Sequence, residues 1–190
     1  CQGEGDEDSL AFLRDVEAFR NVTLVELPNG DYAHTTVRNV LFFAYQCELW
    51  QALRTSSDAQ LAAIAAKSLK EANYHWRHSA DWLLRLGDGT DESHARAQIA
   101  VDELWRYSRE LLVDDEIDAA AARDGSGILA SSLESAWLAR VRPVIEEARL
   151  AIPAATQFCS RGKFGYHSEH LGYILAEMQF VQRAYPGAKW

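Results

Sequence analysis

The chain has 190 residues, 48% of them hydrophobic and 25% charged, so it is long enough to bury a real core and has an ordinary globular composition. A formal net charge of −9 argues against nucleic acid and against an anionic membrane surface as partners, and no apolar run approaches the ~20 residues of a membrane span. The three cysteines, at 1, 47 and 159, are odd in number and lack a C-x-x-C pair; this argues against a disulfide framework or a zinc site and suits a reducing cytoplasm.

Residues 1–8 read as an acidic loop, and the opening Cys1 followed by G-E-G-D-E-D looks like the interior of a longer protein with an upstream segment expected. Ser9 is placed to cap a short helix to about residue 20. The run 22–27 (V-T-L-V-E-L) reads in isolation as a strand, but nothing nearby offers it a partner; 28–31 (P-N-G-D) is a turn. Thr35 or Thr36 can start a helix to about residue 54 whose apolar residues cover nearly its whole circumference, the mark of a buried or interfacial helix. Asp58 caps the next helix, which ends at Gly87 and carries a small or apolar stripe at Leu61, Ile64, Ala65, Ser68, Ala72, His75, Ser79, Trp82, Leu83 and Leu86.

The short link 87–90 makes a helix over 92–112 return antiparallel. Residues 114–127 look looser. Ser131 and Glu134 have the spacing of a capping box, opening a helix to about residue 151 with Pro143 inside it. Residues 152–166 form a loop with a basic and aromatic tip (R-G-K-F-G-Y), and a last helix spans 168–184. Only four prolines occur, which permits such long helices, and there is no internal repeat.

The most informative stretch is 67–75, K-S-L-K-E-A-N-Y-H. In di-iron carboxylate bundles two helices each carry a metal-binding Glu-x-x-His, because residues three apart share a helix face. Here the frame reads Ala72-x-x-His75: the imidazole is in place and the carboxylate is an alanine. This points to a four-helix-bundle oxygenase fold that has lost its metal site, and to a partner subunit rather than a catalyst.

The runs L-A-A-I-A-A-K-S-L-K-E-A-N-Y-H (61–75), R-L-G-D-G-T-D-E-S (85–93), D-E-I-D (115–118) and H-S-E-H-L-G-Y-I-L-A-E-M-Q (167–179) resemble the PaaC-type subunits of bacterial phenylacetyl-CoA epoxidases. So do the opening G-E-G-D-E-D-S-L-A-F and the closing P-G-A-K-W, and the resemblance covers essentially all 190 residues. It implies an all-α, ferritin-like four-helix-bundle fold with additional C-terminal helices, read as one domain over 1–190 that lacks upstream helices. It also implies a multicomponent monooxygenase in which a related catalytic subunit holds the di-iron centre, a separate reductase supplies electrons, and this chain is a structural partner with no cofactor of its own.

Set against the related catalytic subunit, Glu71 matches the first of two consecutive glutamates, Ala72 stands where the second completes the frame, and Phe43 falls near the lone glutamate of the preceding helix. Lys67, Glu71 and His75, spaced i, i+4, i+8, can form an internal polar ladder in which Lys67 supplies positive charge where metal would sit. The alternative puts Lys67 and Glu71 in solvent and makes His75 a hydrogen-bonded core residue. A second cluster joins His167, Glu169, His170 and Glu177; because a helix N-terminus favours anions, it suits capping or contact between subunits better than metal. Arg161 and Lys163 in the loop tip are candidates for touching a partner or a ligand.

Two rival functions stand beside the structural role: an active di-iron oxygenase or ferritin-like oxidase, and a free-standing helical homodimer. Isolated, the chain is expected to pair with itself through the apolar faces of 36–54 and 58–86.

Overall fold

The computed structural model describes residues 6–155 and 157–188. Among the described residues there are eight α-helices and no strand, and an isolated antiparallel bridge joins Arg161 to Tyr166. In chain order the helices are α1 (Glu7–Phe12), α2 (Tyr32–Leu53), α3 (Ala59–Gly87), α4 (Asp91–Ser108), α5 (Glu116–Asp124), α6 (Glu134–Glu147), α7 (Glu169–Met178) and α8 (Phe180–Ala184). The single domain expected from the sequence sorts into two compact units: residues 29–159, and the described parts of 1–28 and 160–190.

In the larger unit α2 is the central helix and packs on α3, α4 and α6. It starts at Tyr32, ahead of the expected caps Thr35 and Thr36, because the Asp31 carboxylate accepts the His34 N–H at 3.0 Å. Thr36 lies inside the first turns instead, its hydroxyl donating to the Tyr32 carbonyl at 2.8 Å. The buried side chains Ala33, Val37, Val40, Leu41, Ala44 and Cys47 recur at helical spacing and form the core face.

The cap and end expected for α3 are both found. Asp58 accepts the N–H groups of Gln60 and Leu61. Gly87 is the last helical residue, and a Cβ there would collide with the backbone carbonyl of Ala148, so glycine allows the chain after α6 to approach closely. The core side of α3 is made largely of small residues, Ala65, Ala72, Ser79 and Ala80, with Leu83; Ile64, placed on that stripe by the sequence, is exposed.

A three-residue link, 88–90, returns the chain as α4, whose Thr90 and Ser93 side chains cap each other's backbone N–H groups. The helix expected over 92–112 tightens into a 3-10 turn at Arg109–Leu112. The segment read as loose contains α5, opened by a reciprocal Asp115–Asp118 box. The capping box expected at 131–134 does not form. Ser131 instead donates its N–H and hydroxyl to Asp114, within a 3-10 turn at Ala130–Leu133.

Side-chain ties lock α6 into the bundle. The Trp137 indole N–H donates to the Leu41 carbonyl at 3.0 Å. Arg140 pairs with Glu48 at 2.7 Å, and its guanidinium lies 4.8 Å from the Trp76 ring centroid, joining α6 to α2 and α3. With α2, α3 and α4 this makes an all-α, ferritin-like four-helix bundle.

In the smaller unit Asp6, not Ser9, caps α1, accepting the Ser9 N–H at 2.9 Å, and the helix ends at Phe12. The apolar run at 22–27 folds as a 3-10 turn, Thr23–Val25, rather than a strand. The last expected helix is two, α7 and α8, separated at Gln179. The buried Gln179 amide donates to the carbonyls of Ala11 and Arg14, and Arg183 reaches the Leu13 and Arg14 carbonyls and the Asp15 carboxylate. The additional C-terminal helices are therefore tied to the N-terminal segment of the same unit. Among the described residues no helix is long and apolar enough to cross a membrane.

Candidate functional site

The pairing of α2 with α3 brings Phe43 and His75 together. Their rings stack with centroids 4.9 Å apart and planes 22° apart, and Tyr74 meets the imidazole edge-on at 5.5 Å. Ala72, one turn before His75, is 4% exposed and lies in the interface between helices. Its small side chain permits close approach there, whereas a glutamate would bring a carboxylate into the core.

The ladder Lys67–Glu71–His75 is not internal. Lys67 is exposed, and Glu71 is 77% and His75 41% exposed at the side chain, with 3.6 Å between the Glu71 carboxylate and His75 Nε2. The alternative reading is half right. Lys67 and Glu71 do face solvent, but His75 is a half-exposed ring held by stacking rather than a hydrogen-bonded core residue. As a donor set, one imidazole and one solvent-facing carboxylate do not fit a pair of iron ions, which take about four carboxylates and two histidines. Among the described residues no group of three or more His, Cys, Asp or Glu is arranged to hold a metal.

The second cluster is divided by the fold. The His167 side chain is 2% exposed and turned inward, with Nδ1 2.6 Å from Glu26 Oε1 and Nε2 3.0 Å from the Phe19 carbonyl. Glu26, 1% exposed, also accepts the Asn21 amide and both the N–H and the hydroxyl of Ser168, each at 2.8 Å. His167 thus belongs to a buried structural hub and is closed to ligand or partner. Glu169 is exposed in the first turn of α7, where its charge complements the helix dipole, and His170 is half-buried. Lys163 is half-buried, and the Arg161 guanidinium packs on its own loop, 4.8 Å from the Tyr166 centroid and 5.6 Å from that of Phe164. Residue spacing gave no sign of Glu26, which meets its histidine only through the fold.

Other titrating groups are shaped by burial and by close carboxylates. Burial pushes Tyr45 up to about 12, with Asp118 and Asp115 adding to it. Burial likewise raises the Cys47 thiol. His34 bridges two carboxylates, Nδ1 to Asp31 at 2.8 Å and Nε2 to Glu103 at 2.9 Å, and so fastens the start of α2 to α4. Burial works against the His34 imidazolium, but the bonds to Asp31 and Glu103 outweigh it and the pKa is raised. Asp31 is lowered by its side-chain bond to His34 and by the His34 backbone N–H.

The bundle of α2, α3, α4 and α6 is of the ferritin-like class, and its α3 carries Ala72 three residues before His75. The chain belongs to the phenylacetic acid catabolic protein family, whose model matches residues 1–190. It is similar to the C subunit of the 1,2-phenylacetyl-CoA epoxidase of Escherichia coli (strain K12), with 48% identity over 188 residues that cover 99% of this chain and 76% of that protein.

Proposed function

We propose that this chain is a non-catalytic structural subunit of a 1,2-phenylacetyl-CoA epoxidase in aerobic phenylacetate degradation. The observation that carries the reading is the similarity to a named component of such an epoxidase along 99% of the chain. The alanine in the metal frame and the solvent-facing Glu71 favour a supporting rather than a catalytic role. In this reading a related subunit holds the di-iron centre, and this cytoplasmic chain shapes and stabilises it through helix faces. The half-buried Phe43 and the exposed Tyr74 and Ile64 form one such face on α2 and α3, and Tyr173, Phe180 and Tyr185 form another on and after α7 and α8. Without its partner the chain forms a homodimer through such apolar surface.

Co-expression of the tagged chain with the catalytic epoxidase subunit tests this reading. Stoichiometric co-purification is expected, with Tyr74→Glu weakening it. Sedimentation of the chain alone is expected to give a dimer. A monomer that captures no catalytic partner would overturn the proposal.

A further inference from the structure

A cavity of about 480 Å³ lies in the larger unit between α4, the 3-10 turn that follows it, α6 and the segment after α6. Its size falls in the range of small-molecule sites. Trp137 is one wall, buried and fixed by its bond to the Leu41 carbonyl. Trp105 is another, its ring centroid 5.5 Å from that of Trp137 with the planes tilted by 37°. Phe158 completes the aromatic lining.

Arg106 is one of the charged side chains that line this cavity. Its guanidinium lies 3.8 Å from the Phe158 centroid and 5.3 Å from that of Tyr107. Among the described residues no carboxylate or carbonyl engages its N–H groups. A guanidinium this close to a ring is desolvated on that side, and its planar set of N–H donors is a fork matched to a carboxylate. Arg109 and Glu134 also line the cavity. The Glu134 charge, in a chain of net charge −9, disfavours dianions such as phosphate esters and leaves a monoanion as the matching guest.

We propose that this cavity binds a small aromatic monocarboxylate, with its ring against Trp105 and its carboxylate on Arg106. The site is separate from the α2–α3 face and goes beyond the structural role. Flat rings gain from offset contact with indoles, and the paired guanidinium distinguishes an acid from a neutral ring of the same shape.

Calorimetry and tryptophan fluorescence with 2-naphthoate, and with 2-naphthalenemethanol as its uncharged counterpart, test the proposal on the full chain. The acid is expected to bind about tenfold more tightly than the alcohol. Arg106→Gln, at an exposed position, should remove that preference. Glu134→Gln should tighten the acid alone. Circular dichroism and Tm of each variant separate lost binding from lost folding. Equal affinities for acid and alcohol, an unchanged preference in folded Arg106→Gln, or no binding of the acid at millimolar concentration would each overturn it.

Discussion

Glu26→Gln is the sharpest probe of the smaller unit. The carboxylate is 1% exposed and surrounded by donors: the Asn21 amide and His167 at Oε1, and the Ser168 N–H and hydroxyl at Oε2. His167 Nε2 donates to the Phe19 carbonyl, and Nδ1 lies 2.6 Å from Oε1 of the carboxylate. A glutamine has the same shape but turns one acceptor oxygen into an NH2 group. Whichever way the amide is turned, its donor faces another donor, the Asn21 amide at one position or the Ser168 N–H at the other. Breaking a buried pair from one side costs about 3–5 kcal/mol, and the retained shape and the remaining hydrogen bonds place the expected loss at the lower end, about 3 kcal/mol. Hydrogen exchange of backbone amides is the assay, because it reads local opening. The Ser168 amide and the first turn of α7 should exchange roughly a hundredfold faster, while amides in the core of α2 and α3 keep their rates. Glu177→Gln, at an exposed position on α7, serves as the control and should change nothing. Unchanged protection at Ser168 in Glu26→Gln would refute the hub.

The His34 clasp should respond to pH. Its folded pKa is raised above the ordinary 6.5, so its stabilisation is complete below that value and is lost as pH rises through the folded pKa. Asp31 is lowered below 3.8, so its share is present above that value and is lost as pH falls through the folded pKa. Urea unfolding should show the gap between the wild type and His34→Gln shrinking as pH rises above 6.5; a widening gap would contradict this. Trp137→Phe should lower stability by about 1 kcal/mol, because it removes the second hydrogen bond to the Leu41 carbonyl, which keeps its bond within α2. Trp76→Phe removes a buried indole N–H that has no acceptor among the described residues and should be neutral or stabilising in the same assay. Gly87→Ala sets a methyl group against the Ala148 backbone carbonyl and should cost about 1–3 kcal/mol; thermal unfolding unchanged from the wild type would show that the chain after α6 yields freely.

Long helices with strong end signals were legible from residues alone. Asp58 and Gly87 bracket α3 in the sequence as they do in the fold, although Gly87 serves close packing rather than a left-handed cap. The start of α2 is less legible, because two threonines resemble caps whereas Asp31 reaches the free N–H groups first. α5 has no clear sequence signal, because it buries no residue and so carries no apolar stripe, and its box uses two aspartates. The break at Gln179 depends on carbonyls of Ala11 and Arg14, which no local pattern announces. At the candidate site, the Ala72–His75 frame and the place of Phe43 came from spacing and resemblance, and α2 and α3 do bring the Phe43 and His75 rings together. Exposure was not legible: whether Lys67 and Glu71 face solvent, or His167 faces inward, depends on which elements cover them.

The central claim is that this chain supports an oxygenase without holding metal itself. Elemental analysis of the isolated chain after expression with ample iron tests it most directly, with the His75→Ala variant measured alongside. The account predicts iron far below a pair per chain, at the same level in both proteins. A stoichiometric iron pair in the wild type that disappears in folded His75→Ala would contradict it.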